Sequence, residues 1–466
     1  MDVDDVTEAH SHPSAVPTVL AVAGVTWYCF IFSLGLLGCV SARKRYRLRP
    51  RSPLASADPS TVPGVSIIRP LKGLDANLYE NLESTFTQEY PNYEIFLTVE
   101  NDHDQALAVV RDLIAKYPNV NAHIIIGEET VGVNPKVNNI IRAYRQAAND
   151  ILWVLDSNVM VDSGTLGRSV DALDGPPSAA PSSRKRIALV HHVPFAFATE
   201  YSLGSHVEQA FLNTNHAKMY IAINTVAIDS CVVGKSNLYR KSDIDRVDGT
   251  LKPVTSNDQS RHEKGLAVFG RFLAEDNMIA SALWHELGLR HDLSCDVARN
   301  AVGNMSLADY FWRRVRWIRV RKRMVFAATL IEPFTESIVV GVLAALGLRY
   351  LFGFPMWLFL PIHFAVWLAV DLDVYASLAG YPLPSGAVWW RFVGAYALRE
   401  ALALPIWMFA IWGSTVDWRG KTYIVMRNGE VRRSNRDDEK SWFRWGFWKR
   451  SGKNDSHYEA IETSES

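Results

Sequence analysis

Cysteine is scarce in this chain of 466 residues: Cys29, Cys39, Cys231 and Cys295 stand far apart, with no Cys-x-x-Cys pair and no Cys/His ligand spacing. Neither a disulfide framework nor a structural zinc is suggested, and a reducing compartment is expected for the bulk of the chain. An excess of charge is missing as well. Lys+Arg 49 against Asp+Glu 49 gives a formal net charge of zero, which leaves no surplus to neutralise a phosphate backbone and argues against nucleic acid as a partner. No internal repeat is visible. What is abundant is apolar surface, at 48% hydrophobic residues with 15 Trp and only 21% charged. That is high for a soluble protein and low for one embedded throughout, so a mixed architecture is expected.

From Ser14 to Ala42 no residue is charged, and Val19 to Val40 fills the ~20 residues of a spanning helix. The run starts after Asp2, Asp4, Asp5 and Glu8 and exceeds the usual signal-peptide core, so it reads as an anchor. Arg43, Lys44, Arg45, Arg47, Arg49 and Arg51 follow. This basic cluster places the next residues in the cytosol and the amino terminus in the lumen. A second apolar region, Met324 to Thr415, is broken at Gly353-Phe354-Pro355 and Tyr381-Pro382-Leu383-Pro384 and has room for three helices. Glu332, Glu336, Asp371, Asp373, Arg399 and Glu400 inside it are costly in hydrocarbon and are expected to face a bundle interior or headgroups. One plus three full spans would put the carboxyl terminus in the lumen, whereas Arg432, Arg433, Arg436, Lys449 and Arg450 favour the cytosol. One segment is therefore expected to be re-entrant or interfacial.

Between the two regions, apolar runs alternate with helical periodicity, the pattern of a largely parallel α/β sheet. Strands are expected at Val65 to Ile68, Tyr93 to Val99, His123 to Ile126 and Ile151 to Leu155. Helices are expected on the faces Leu78/Leu82/Phe86 and Ala106/Val109/Val110/Leu113/Ile114, and over Lys136 to Ala147. Asp174 to Lys185 and Gly249 to Gly265 read as insertions. The stretch Phe272 to Gly288 reads as a helix, and Leu307 to Arg323 as a basic helix at the membrane surface.

In open α/β sheets ligands sit beyond the carboxyl ends of the strands, which singles out Arg69, Glu100, Asp104 and Asp156. A carboxylate such as Asp156 suits a hard cation, Mg²⁺ or Mn²⁺, or simply caps a turn. Asp276, at a helix start, either answers the helix dipole or serves as a general base. Arg313 and Arg316 share a helix face at i, i+3 and could meet a diphosphate. Trp317 beside them could pack on a sugar or acyl chain. For Arg319 to Arg323, attraction to the membrane surface is the preferred reading. His216 reads as a solvated loop residue or an acceptor contact, and Lys136 as a phosphate contact or a solvated lysine.

The runs Ile68-Arg69-Pro70-Leu71-Lys72-Gly73, Lys116-Tyr117-Pro118-Asn119-Val120 and Val131-Gly132-Val133-Asn134-Pro135-Lys136-Val137-Asn138-Asn139 resemble those of the ceramide glucosyltransferases, as do the spaced acids and Arg313-Arg314-Val315-Arg316-Trp317. These form family 21 of the glycosyltransferases, an inverting family with a GT-A fold, and the resemblance extends to Trp418-Arg419. It implies transfer of glucose from UDP-glucose to the primary hydroxyl of ceramide, at the cytosolic face of the Golgi or endoplasmic reticulum. It also implies Asp276 as base, Asp104, Asp156, Arg69, Glu100 and Lys136 at the nucleotide sugar, a divalent metal on Asp156, and Arg313, Arg316, Trp317 and His216 toward diphosphate and acceptor. Asp156-Ser157-Asn158 lacks the second acid of a full Asp-x-Asp.

The expected organisation is a lumenal terminus (1–15), a transmembrane helix (16–42), a basic linker (43–62), a GT-A domain (63–305), an interfacial helix (306–323), about three membrane helices (324–416) and a largely disordered tail (417–466). A processive polysaccharide synthase, a dolichyl-phosphate sugar transferase and an inactive lipid-binding scaffold remain as alternatives. The sequence leaves the oligomeric state open.

Overall fold

Ile67 and Ile68 are adjacent and both buried, because successive side chains of a strand point to opposite faces and this strand has protein on both. In the computed structural model, which describes residues 15–174, 185–249, 264–418 and 421–434, a first helix α1 (Ala15–Tyr46) leads into that strand, β1 (Val65–Pro70). There follow α2 (Leu78–Phe86), β2 (Tyr93–Val99), α3 (Ala106–Lys116), β3 (Asn121–Ile126), α4 (Pro135–Gln146) and β4 (Ile151–Leu155). All four strands expected from the apolar runs are present. The chain continues with β5 (Val159–Met160), α5 (Thr165–Asp174), β6 (Ile187–Ala198), α6 (Leu203–Phe211), α7 (Ala217–Val226), β7 (Ser236–Arg240), α8 (Lys241–Ile244), α9 (Glu275–His285) and β8 (Arg290–Val302). Between α6 and α7 lies a π-helical turn, Leu212–His216.

The strands form one sheet in the order β3-β2-β1-β4-β7-β6-β8-β5. Strands β1 to β4 run parallel, with Val65 opposite both Tyr93 and Ile151, and β7 is antiparallel to its neighbours β4 and β6. On one face Ile67, Leu97 and Trp153 pack with Leu82 and Val110. On the other, Ile68, Phe96 and Val154 pack with Ile140, Ile279 and Leu283. The α/β class is as expected. The central parts of both insertions, 175–184 and 250–263, lie outside the described residues, as do the terminus before residue 15 and the tail beyond 434.

After β8 come α10 (Leu307–Met324), α11 (Phe326–Ile331), α12 (Ser337–Phe352), α13 (Met356–Ala379) and α14 (Ala387–Trp412). Ser306 and Asp309 form a capping box at the start of α10, which satisfies two orphan N–H groups. Among the described residues α1, α13 and α14 are each long and apolar enough to cross a membrane, and α11 with α12, bent by 66°, would make a fourth. Helix α12 runs antiparallel to α1: Trp27 Nε1 donates to the Phe334 carbonyl at 2.7 Å, and the hydroxyls of Thr18 and Tyr350 lie 3.2 Å apart. Helix α13 runs parallel to it, from Phe359 beside Tyr28 to Asp373, which accepts from Arg43 at 2.6 Å.

The last turns of α1 are not a free stalk. Cys39, Ala42 and Tyr46 share a core with Val193, Leu293, Val315 and Tyr375, so this helix is built into the α/β domain. Nearby, Lys218 of α7 and Asp371 of α13 form an ion pair of 2.7 Å with side chains 1% and 0% exposed. The tail reading is corrected at its start. Residues of the expected disordered segment form β9 (Thr415–Trp418), β10 (Lys421–Val425) and β11 (Val431–Arg433), an antiparallel sheet. Val416, Tyr423, Val425 and Val431 bury their side chains with Val320, against Val133, Leu273 and Ala274 of the α/β domain.

Candidate active site

Helix α4 begins at Pro135, whose missing N–H would be unpaired in a first turn anyway. The Asn134 side-chain oxygen caps the helix, accepting from the N–H groups of Lys136 (2.8 Å) and Val137 (3.4 Å). Its amide nitrogen donates to Glu275 Oε2 and to the Phe272 carbonyl, both at 2.7 Å. One side chain therefore fixes the start of α4 against the start of α9.

That junction delivers Lys136 into a ring of acids. Its Nζ lies 2.9 Å from Asp156 Oδ1, 2.9 Å from Glu275 Oε1 and 3.4 Å from Asp276 Oδ1. On the far side of Asp156, Lys235 Nζ is 3.0 Å from Oδ2. Burial opposes the charge on Asp156, but the two ammonium groups outweigh it and hold its carboxyl well below the usual range. Asp276 differs. It is pushed up to about 7 by burial and by the adjacent Glu275 carboxylate, with Lys136 only partly offsetting them. Asn237 Nδ2 donates to Asp276 at 3.4 Å, and Gly234 closes the other side, where a Cβ would fall 1.5 Å from Asp276 Oδ2. Any larger residue at 234 would displace the carboxylate.

The structure thus brings Lys136, Asp156 and Asp276 together. Glu100 and Asp104 lie at the end of β2, separated from Asp156 by β1 along the same edge. Asp104 accepts from Gly73 N and Ala106 N, each at 2.9 Å, tying the loop after β1 to the start of α3. Glu100 accepts from Lys72 at 2.7 Å. Arg69 is fully buried and donates to the carbonyls of Asn81, Ser157 and Val159. It braces the turn after Asp156 from beneath rather than reaching the open crevice.

His216 is not in a loop. It ends the π-helical turn, a feature common at functional sites, and stacks on Tyr220 with ring centroids 5.7 Å apart. Burial, helped by Arg314, Arg321 and Arg399, lowers its pKa to about 3, so the imidazole is neutral at physiological pH. The Tyr220 hydroxyl accepts from Val233 N at 3.0 Å, one residue before Gly234, and so links His216 to the wall beside Asp276. On α10, Arg313 donates to Glu208 at 2.8 Å and lies over Trp317 at 5.7 Å, while Val315 and Ile318 pack in the core that Val233 borders. Arg316 sits one turn along the same helix, partly exposed. The surface-charge reading of Arg319 to Arg323 is corrected. Arg319 donates to the Thr415 carbonyl, Arg321 pairs with Glu332, and Lys322 donates to the carbonyls of Ile411 and Gly413.

Sequence reasoning missed Lys235, Asn237, Gly234 and the roles of Asn134 and Glu275. Glu275 carried a signal in its adjacency to Asp276, and Asn134 in standing directly before Pro135 as an N-cap. Gly234, Lys235 and Asn237 depend on β7 lying antiparallel beside β4, which no local pattern announces.

Residues 25–431 match the family described as Glycosyl transferase family 21. The chain is 36% identical over 469 residues to the ceramide glucosyltransferase of Komagataella phaffii, covering 89% of this chain and 91% of that one. It is 30% identical to the ceramide glucosyltransferase of Candida albicans, covering 86% and 95%, and 30% identical to ceramide glucosyltransferase 3 of Caenorhabditis elegans, covering 89% and 83%. Among solved structures, a mannosyltransferase from Pyrobaculum calidifontis in complex with GDP-Man and Mn²⁺ matches 85% of this chain and 96% of its own, with 18% identity and a TM-score of 0.42.

Proposed function

Since the chain belongs to glycosyl transferase family 21 and is a glycosyltransferase, we propose that it transfers glucose from UDP-glucose to the primary hydroxyl of ceramide with inversion, releasing UDP. The observation that carries the chemistry is the cluster of Lys136, Asp156, Glu275 and Asp276 at the carboxyl edge of the sheet: there desolvation and Glu275 push the partly exposed Asp276 carboxyl up to about 7, matched to working pH as a general base should be. Asp276 takes the proton of the acceptor hydroxyl as its oxygen attacks the anomeric carbon from the face opposite the diphosphate. Lys136 and Lys235, already gathered at Asp156, offset the charge growing on the leaving diphosphate. Glu100 and Asp104, at the far strand end, hold the uridine side. His216, neutral and stacked on Tyr220, orients the acceptor together with Arg316 and Trp317.

A divalent cation, Mg²⁺ or Mn²⁺, is part of this reading. Among the described residues no group of three or more His, Cys, Asp or Glu side chains is placed to hold a metal. The donor chemistry fits all the same, since Mg²⁺ takes one or two carboxylates and completes its shell with substrate phosphates. Asp156, kept ionised by Lys136 and Lys235 on its two oxygens, would hold it in place of one of those ammonium contacts. When bound, it would add to the lysines' neutralisation of the diphosphate. The catalytic domain works on the cytosolic face of a Golgi or endoplasmic reticulum membrane, as the basic run after α1 implies.

The test is transfer from radiolabelled UDP-glucose to short-chain ceramide by the purified full chain, with UDP-galactose, dolichyl phosphate and no acceptor as parallel arms. Ceramide-dependent glucolipid supports the proposal. A polymer or a dolichyl product would replace it.

A further inference from the structure

Twenty-six residues make α14 long and apolar enough to cross a bilayer, yet both of its ends are fastened to the same side. It starts beside the carboxyl end of α13, which is level with the basic end of α1 because Asp373 bonds Arg43 and Arg47. There Phe392 packs on Tyr375 at 5.3 Å, and Arg391 lies over the ring of Tyr201, just ahead of α6, at 5.4 Å. Midway, Tyr396 donates to Asp371 at 2.8 Å and Arg399 to Glu336 at 2.9 Å. At the far end, Lys322 of α10 donates to the carbonyls of Ile411 and Gly413, each at 2.6 Å. Directly beyond, β9 to β11 sit on Val133, Leu273 and Ala274, next to Asn134 and Glu275 of the active site. A crossing would carry those strands through about 30 Å of hydrocarbon, away from the domain they pack on.

The surface of α14 agrees. Trp390, Ala397, Ala401, Leu404, Met408 and Trp412 are exposed at helical spacing, while Tyr396, Arg399 and Glu400 on the other face are buried. The stripe ends in two tryptophans, 70% and 89% exposed, the residue type favoured at a membrane–water boundary. Helices with one apolar face lie in such a boundary, sunk about 5–10 Å. The three other apolar helices account for the crossings. Helix α12, at about 24 Å by the standard rise per residue, brings Tyr350 to Thr18 near the opposite end of α1.

We infer that α14 lies in the plane of the bilayer surface on the catalytic side, its Trp390-to-Trp412 stripe immersed in that leaflet, so that the chain crosses three times, by α1, α12 and α13. The leaflet then meets the first turns of α10, where Phe409 of α14 packs on Phe311 and Trp312. A lipid acceptor reaches the Arg316 edge by lateral movement. The inference depends on the packing of α14 and holds whichever lipid is the acceptor.

Two measurements on the full chain test it. Nitroxides placed singly at Trp390→Cys, Leu404→Cys and Trp412→Cys, in a background without native cysteines, should report one shallow depth in lipid vesicles. A spanning helix would instead separate the first and last by about 33 Å, which would overturn the inference. Should those variants fold poorly, impermeant maleimide labelling of Ser385→Cys and Asp417→Cys in sealed microsomes gives the same answer from exposed positions. Both should react on the side of Asp102→Cys in the catalytic domain. Reaction of Asp417→Cys with the side of Phe354→Cys, in the loop between α12 and α13, would overturn the inference.

Discussion

Asp276 and Asp156 are both carboxylates within reach of Lys136, and what separates them is Lys235. Two ammonium groups keep Asp156 ionised, whereas Asp276 shares one with Glu275 and titrates near 7. A base works in its deprotonated form, so turnover should climb with unit slope toward about pH 7 and level above it, in a pH profile of kcat at saturating donor. Because the folded pKa lies above the ordinary 3.8, ionising Asp276 costs stability as pH rises through that interval. Asp276→Asn should lower kcat by about 10²- to 10⁴-fold, the usual worth of general base catalysis, while nucleotide binding followed by calorimetry stays within a few fold; lost binding would reject the base assignment. Lys136→Met removes the charge that restrains Asp276, so the acid limb should move to higher pH and the KM for donor should rise; Lys136→Arg should restore the limb. An unmoved limb in the Met variant would show that the two groups do not interact. Asp276 and Lys136 were legible from strand ends and helix starts. Lys235 was not, since its partner is 79 residues away in sequence and their meeting is a product of sheet order.

At the scale of elements, apolar runs found β1, β2 and β4 because those strands are short, apolar and buried on both faces, and β3, at the sheet edge and largely exposed, by its run Ile124-Ile125-Ile126. They did not find β6, where His191, His192 and Pro194 interrupt the pattern, or β8, which begins with Arg290, His291 and Asp292. Both are held by neighbours rather than by propensity. The buried Lys218–Asp371 pair joins α7 to α13, with Lys218 also 4.2 Å from the ring centre of Trp367. Lys218→Met should destabilise the protein by about 3–5 kcal/mol, as breaking one half of a buried pair does. Adding Asp371→Leu should recover much of that loss. Thermal unfolding in detergent reads both, and equal instability of single and double variants would place the cost in packing instead.

For the whole molecule, hydropathy located the apolar segments but not their directions. Direction follows from contacts such as Arg43 with Asp373 and Tyr350 with Thr18, which pair residues more than three hundred positions apart. The C-terminal sheet was hidden for a similar reason: its strands are of 4, 5 and 3 residues, too short to signal themselves. Ending the chain at Gly413 should bare Val320, Val133 and Leu273 and loosen the starts of α4 and α9. The expected result is at least a tenfold fall in transfer with the anchor still membrane-bound, read by activity and carbonate extraction; full activity would leave the sheet without a part in the site.

The packing of Cys39, Ala42 and Tyr46 beside Leu293 and Val315 sets a schedule for synthesis. At about 5–20 residues per second a ribosome needs roughly 12–50 s to travel from Tyr46 to Leu293. Over that interval the end of the first helix gains its partners in stages, Val193 and Tyr220 before Leu293 and Val315. Synonymous codon changes that slow translation of β8 should therefore lower the yield of folded protein while leaving its specific activity unchanged, read by membrane-fraction yield against transfer per mole.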